Sequence, residues 1–179
     1  SDHKATSIGL PETQLGILPC WGGATRLPKL IGLPKALSLI LPGKRLAPKK
    51  ALKLGVVDSV VHREHLMAEA EKLLTRGKRN LPSFFSTNNP VSAAGIRQFM
   101  LPRLQKETRG NYPAPKLALD VVSKAANGTT ADSLKREREA VAKLAETKAA
   151  KNLINIFLLQ QRSKKVRFDR NAAAKKICL

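Results

Sequence analysis

Aromatic residues make up only 4% of the chain, so a core has to be assembled from Leu, Ile, Val and Ala. That mixture suits packed helices better than a sandwich of aromatic-rich strands, and helix is expected to dominate. Cysteine is nearly as scarce. Cys20 and Cys178 stand near opposite ends, neither in a CxxC or Cys/His cluster with metal-ligand spacing, which argues against a disulfide framework, a zinc site or any other metal centre. No apolar run approaches the roughly 18 residues of a membrane span, and the opening residues lack the basic-then-apolar pattern of a signal peptide. A reducing, cytoplasmic setting is the expectation.

Acidic residues are few as well. Against 33 Lys+Arg stand 13 Asp+Glu, a formal charge of +20, and the resulting positive field attracts phosphate-bearing partners. Charge alone admits nucleic acid, an anionic membrane or a phosphorylated small molecule. A length of 179 residues suffices for one modest core, so one compact unit is the default. The chain opens at Ser1 rather than Met and is read as a piece of a longer protein.

What is present falls into a coarse order of elements. Residues 7–10 read as a short strand ended by Pro11, which offers no amide hydrogen to a ladder. Residues 19–23 form a glycine-rich turn that opens a helix carrying Leu27, Leu30 and Ile31 at i, i+3, i+4. Further helices are expected at 34–41 and at 48–54, the latter with Pro48 at its start and Gly55 as its cap. Residues 56–61 read as a strand, 62–76 as a helix ended by Gly77, and 78–90 as a surface connection. Ile96, Phe99, Met100 and Leu104 share a helical face; helices follow at 117–126, after a cap at Thr130 or Asp132, and at 149–164. Phe99, Met100 and Phe157 are expected to pack in the core. Residues 163–176 have the composition of a solvated basic linker, and Ile177 to Leu179 return to the apolar character of a buried strand.

The chemistry concentrates in IGLPETQLGILPCWGGATRL, residues 8–27. Glu12 lies just beyond the expected strand and eight residues before Cys20, in a turn where Gly22 and Gly23 expose backbone amides. A carboxylate that grips a water together with a fixed amide can present that water to an electrophilic carbon and return or remove a proton. Apart from Asp2, Glu12 is the only carboxylate before Asp58.

This segment resembles the LPE-x5-LPGxGGxxRLPRLIG stretch of the crotonase (enoyl-CoA hydratase/isomerase) superfamily, in particular its multifunctional β-oxidation members. KALSLILPGK at 35–44 and ALKLGVVD at 51–58 are similar to later family segments in order and spacing. GNYPAP at 110–115 and KNLINIFLL at 151–159 look like landmarks of the multifunctional subgroup. The resemblance implies an α/β crotonase-like fold, C-terminal part only, and therefore a predominantly α-helical chain with a few short strands. It places the end of the crotonase core at 1–61, the helical end of the hydratase domain at 62–110 and a helical linker region at 111–165. Residues 166–179 become a basic linker and the first strand of a 3-hydroxyacyl-CoA dehydrogenase domain.

By the same resemblance Glu12 is one of two catalytic glutamates that add water across a trans-2-enoyl-CoA, giving 3-hydroxyacyl-CoA. Cys20 supplies the amide that holds that water, where the family usually has glycine; Cys20, Trp21, Gly22 and Gly23 are the expected substrate-binding residues. The amide survives the substitution, while a thiol and the neighbouring Trp21 add bulk. The first glutamate and the oxyanion-hole amides would lie upstream of Ser1, so this stretch alone is expected to be catalytically incomplete. No cofactor is expected within it: a coenzyme A thioester is the substrate, and NAD belongs to the following dehydrogenase domain. Expected partners are the acyl-CoA, the missing N-terminal crotonase half, that dehydrogenase domain and a thiolase subunit, with no nucleic acid and no membrane span.

Three other readings stand beside this one. Enoyl-CoA double-bond isomerisation needs one glutamate shuttling a proton and no activated water. A basic helical module binding RNA would make the charge the function, although the basic run near the C-terminus has only Phe168 to interleave with bases. A scaffold at 62–165, against which neighbouring domains pack, can coexist with hydration. His3, His62 and His65 have no ligand partners at useful spacing and read as surface residues. A nucleophilic role for Cys20 lacks a nearby His.

Overall fold

The computed structural model describes residues 1–165. Most of the expected basic linker, and the apolar segment ending at Leu179, lie outside the described residues. Helices dominate, with a single pair of two-residue strands among the described residues.

Strand β1 (Ile8–Gly9) pairs antiparallel with β2 (Arg45–Leu46), Ile8 opposite Leu46 and Gly9 opposite Arg45. A Cβ on Gly9 would stand 2.3 Å from the Lys44 carbonyl oxygen, so glycine is what lets the second strand approach. Between the strands come a 3₁₀ turn (Glu12–Leu15), α1 (Gly23–Ile31) and α2 (Leu33–Ile40). Helix α3 (Pro48–Leu54) starts on its proline and stops at Gly55, in the left-handed region at φ 80°, as its sequence dictates.

The strand expected at 56–61 does not form. The Val56 amide is taken by the Ala51 carbonyl in closing α3 (2.9 Å), and Val61 makes one backbone bond, from Asp2 (3.0 Å). With its first donor spent on a helix cap, the segment has no ladder to join. Val56 and Val57 pack on the core instead. A 3₁₀ turn (Arg63–His65) leads into α4 (Leu66–Arg76), which ends at Gly77 as expected.

The stretch 78–90, expected to be a plain surface connection, contains the one-turn helix α5 (Phe85–Asn88). Asn88 gives it purpose. Its Nδ2 donates to the Pro28 carbonyl and its Oδ1 accepts from the Leu33 amide, both at 2.9 Å. The Leu33 amide is left without a helical partner where α1 breaks into α2 at Gly32, and the Pro28 carbonyl there also accepts from the Gly32 amide (3.0 Å), so the connection clips that joint.

Helices α6 (Pro90–Thr108), α7 (Pro113–Asn127), α8 (Thr130–Ala145) and α9 (Lys148–Lys165) complete the described chain. The cap of α8 is Thr129, whose Oγ1 accepts from the Asp132 amide at 3.1 Å, one residue before the expected position. Helix α7 is central, packed against α1, α2, α6 and α8. Its buried face carries Ala114, Ala118, Leu119, Val122 and Ala125, and the alanines let neighbouring helices approach closely. One apolar cluster runs from Leu18 through Leu37, Ile40 and Leu119 to Leu144. Each fully buried leucine contributes about 1.5–3 kcal/mol, which binds the helices after residue 110 to those before it. Of the three expected core members, Met100 is half-buried and packs against the core, whereas Phe99 is 84% and Phe157 40% exposed.

Helix α9 lies against the 3₁₀ turn that carries Glu12. At Gly16, φ 80°, an added Cβ would stand 2.7 Å from the Ala150 Cα. Gly16→Ala is therefore expected to destabilise by about 2–4 kcal/mol, from left-handed strain plus overpacking. Gly95→Ala in α6, where a Cβ meets nothing within 4 Å, is expected to stabilise by about 0.5–1 kcal/mol. Denaturant midpoints test the pair, and equal shifts would contradict the α9 contact.

Candidate active site

Glu12 opens a 3₁₀ turn fastened from three directions. The buried Thr13 donates its hydroxyl to the Ile40 carbonyl at the end of α2 (2.8 Å). Gln14 Nε2 donates to the carbonyls of Pro42 and Gly43, each at 3.1 Å. The Tyr112 hydroxyl, at the start of α7, donates to the Thr13 carbonyl. Burial pushes that hydroxyl above its ordinary range, a backbone bond from Gly16 partly offsetting it, so Tyr112 remains a donor at neutral pH. Held this way, the half-buried Glu12 has an Oε2 that is shielded from solvent and makes no hydrogen bond among the described residues. A carboxylate oxygen in that state has its lone pairs available for a reacting group.

The second part is the turn before α1. Gly22 is the N-cap at φ 87°, and a Cβ there would collide with Arg26 Nη1 at 2.0 Å. Glycine is the residue that tolerates this left-handed backbone and it carries no capping oxygen, so the cap comes from elsewhere. It comes from α8: Glu137, 0% exposed, accepts from the Gly22 amide through Oε2 (2.8 Å) and from the Thr25 amide through Oε1 (2.5 Å). Arg26 steadies the outer side, donating to the Trp21 carbonyl at 2.9 Å. The Gly22 amide also approaches the Cys20 carbonyl at 2.8 Å. The Cys20 amide meets no backbone acceptor among the described residues and lies against its own thiol.

The two parts meet around Cys20. Its thiol is raised above the ordinary range, first by burial, then by the negative charges of Glu137 and Glu12. A protonated thiol between two carboxylates is a poor nucleophile. Trp21 is 93% exposed, and the turn separates two hollows. One, of about 290 Å³, is apolar and lined by Leu10, Trp21, Gly22, Gly23, Leu27 and Leu30 among others. The other, of about 490 Å³, is bordered by Cys20, Trp21, Arg26, Leu134, Arg138 and Val141. A larger hollow, about 1030 Å³, lies between α2 and α6 and touches neither Glu12 nor the turn.

The structure thus brings Glu12, Cys20, Trp21, Gly22 and Gly23 into one neighbourhood. His62 and His65 stand together on the exposed 3₁₀ turn before α4, their rings 6.5 Å apart, and His3 is exposed at the amino terminus. Among the described residues no group of His, Cys, Asp and Glu could hold a metal ion, and no helix is long and apolar enough to cross a membrane. Glu137 escapes motif reading. Its signal is its place on α8, on one stripe with the buried Ser133, Ala140 and Leu144, where a charge needs a partner.

A sequence model of the enoyl-CoA hydratase/isomerase family matches residues 2–99. The chain belongs to that family. Its curated relatives include the fatty acid oxidation complex subunit alpha of Aliivibrio fischeri, 41% identical over 92% of this chain and 25% of the relative. The subunits of the same description from Vibrio vulnificus and Shewanella frigidimarina are 39% and 34% identical, over 92% and 99% of this chain and 24% and 26% of their own lengths. The chain spans about a quarter of the length of these relatives. A solved structure described as an enoyl-CoA hydratase subunit I from Geobacillus kaustophilus is 28% identical, covering 92% of this chain and 51% of that one, with a TM-score of 0.37. The family match ends before α7, α8 and α9 begin, so Glu137 and Tyr112 lie beyond it.

With Cys178 replaced by Ser, Cys20 is expected to react slowly with iodoacetamide at neutral pH and faster as pH rises. Nearby negative charge disfavours the thiolate, so Glu137→Gln lowers the Cys20 pKa and speeds alkylation. An unchanged or slower rate in that variant would contradict the arrangement around the thiol.

Proposed function

We propose that this chain is part of an enzyme of fatty acid β-oxidation that hydrates trans-2-enoyl-CoA to 3-hydroxyacyl-CoA, with Glu12 as one of its two acid-base carboxylates. The observation that carries this reading is the shielded, unpaired Glu12 Oε2 beside a turn whose Cys20 amide has no backbone acceptor among the described residues. A water gripped by a carboxylate and an amide is oriented for attack on C3 of the enoyl thioester, and Glu12 takes or returns its proton. A second carboxylate and the oxyanion-hole amides that stabilise the thioester enolate come, in this reading, from the protein outside this chain. Cys20, Trp21, Gly22 and Gly23 contact substrate, and the apolar hollow beside Trp21 and Leu27 offers a wall to its non-polar portion.

The relatives are described as alpha subunits of a fatty acid oxidation complex, and the proposal has four finer parts. In the full-length protein the hydroxyacyl product passes to an NAD-dependent 3-hydroxyacyl-CoA dehydrogenase domain after residue 166. A thiolase subunit is the partner that consumes the resulting ketoacyl-CoA. The chain divides functionally at 61, 110 and 165, and the protein works in the cytoplasm.

In the full-length protein, Glu12→Gln is expected to lower kcat for crotonyl-CoA hydration by about 10²–10⁴-fold while the far-ultraviolet circular dichroism spectrum stays unchanged. Near-normal turnover would remove Glu12 from the mechanism.

A further inference from the structure

We propose that Glu137 is a positioning residue of the hydration site, holding the turn from Cys20 to Thr25 in the shape that leaves the Cys20 amide available to the reacting water. The inference rests on the hydration reading above and adds a residue beyond the family match, on a helix with no chemistry assigned to it.

Four observations converge on it. Glu137 is fully buried, a costly place for a carboxylate unless hydrogen bonds satisfy both oxygens. Both are satisfied by this turn, through the Gly22 amide at 2.8 Å and the Thr25 amide at 2.5 Å. Gly22 stands in the left-handed region at φ 87°, where a capping Ser, Thr or Asp would be strained, and has no side chain of its own to cap with. The same Gly22 amide approaches the Cys20 carbonyl at 2.8 Å, so the carboxylate and the Cys20 peptide share one donor. Glu137 therefore sets the geometry of the residue whose amide is in question without touching substrate. Its charge also acts on the Cys20 thiol together with that of Glu12, which puts it next to the same centre.

The chemistry of the pair makes the isosteric amide informative. A glutamine side chain in place of the Glu137 carboxylate would keep volume and packing, yet its NH₂ would face one of the two amides, donor against donor. The test uses the full-length protein, wild type and Glu137→Gln, with crotonyl-CoA turnover and amide hydrogen exchange read in parallel. Expected are a kcat lowered about 10- to 100-fold, a KM within about twofold, and faster exchange confined to residues 20–26. A cap with no catalytic bearing would lower the unfolding midpoint and leave kcat of the folded protein intact, and that result would overturn the proposal. Unchanged exchange at residues 20–26 would overturn it as well. Should Glu137→Gln fail to fold, Glu137→Asp retains the charge with a shorter reach and is expected to show the same kcat loss in smaller measure; full activity there with a loosened turn is again contrary. Wild-type protein without hydratase activity would remove the hydration reading and the catalytic part of this one. Exchange in the variant would still decide whether Glu137 holds the turn.

Discussion

A helix that begins on a glycine with a positive φ has amides to satisfy and no side chain with which to satisfy them. At α1 that constraint is acute, because Gly22 stands at φ 87°, a backbone that side-chain caps rarely adopt. The solution reaches across the molecule to α8, whose Glu137 takes two of the exposed amides. A buried carboxylate is tolerable there because the helix N-terminus is the positive end of the macrodipole and each bond is charge-assisted. Much else follows: α8 packs directly beside the start of α1, α7 touches both, and the glycine turn is tied to α8.

The carboxylate of Glu12 is held by different means. No charge faces it in an ion pair among the described residues; its position comes from neutral bonds made by Thr13, Gln14 and Tyr112 and from the close seat of Gly16 against α9. The result is a side-chain oxygen with lone pairs to spare, a few residues from a turn whose Cys20 amide meets no backbone acceptor among the described residues. Fastening one group through its backbone while leaving its side chain unpaired is the arrangement acid-base chemistry needs. Both fastenings draw on helices after residue 110, which accounts for the single core running from Leu18 to Leu144.

Helix ends signalled by proline and glycine were the most legible part of the fold. Pro48 and Gly55 bound α3, and Gly77 stops α4, because those residues act through their own backbone geometry. The segment 56–61 misled for the opposite reason: β-branched residues state a preference, but a strand also needs a free donor and a neighbour, and Val56 had given its donor to α3. Phe99 looked like core from its spacing and is 84% exposed, since periodicity identifies a face without saying what covers it. In the site, the family pattern brought together Glu12 and the residues 20–23, all close in sequence. Glu137 lies more than a hundred residues from its partners, and long-range pairing of a carboxylate with backbone amides leaves no motif.

The most direct test is a crystal structure of the full-length protein with 3-hydroxybutyryl-CoA bound. The product hydroxyl is expected within about 3.2 Å of both Glu12 Oε2 and the Cys20 amide nitrogen, with Glu137 still bonded to Gly22 and Thr25. A product hydroxyl bound away from Glu12, or a turn detached from Glu137 in the complex, would contradict the hydration site described for these residues.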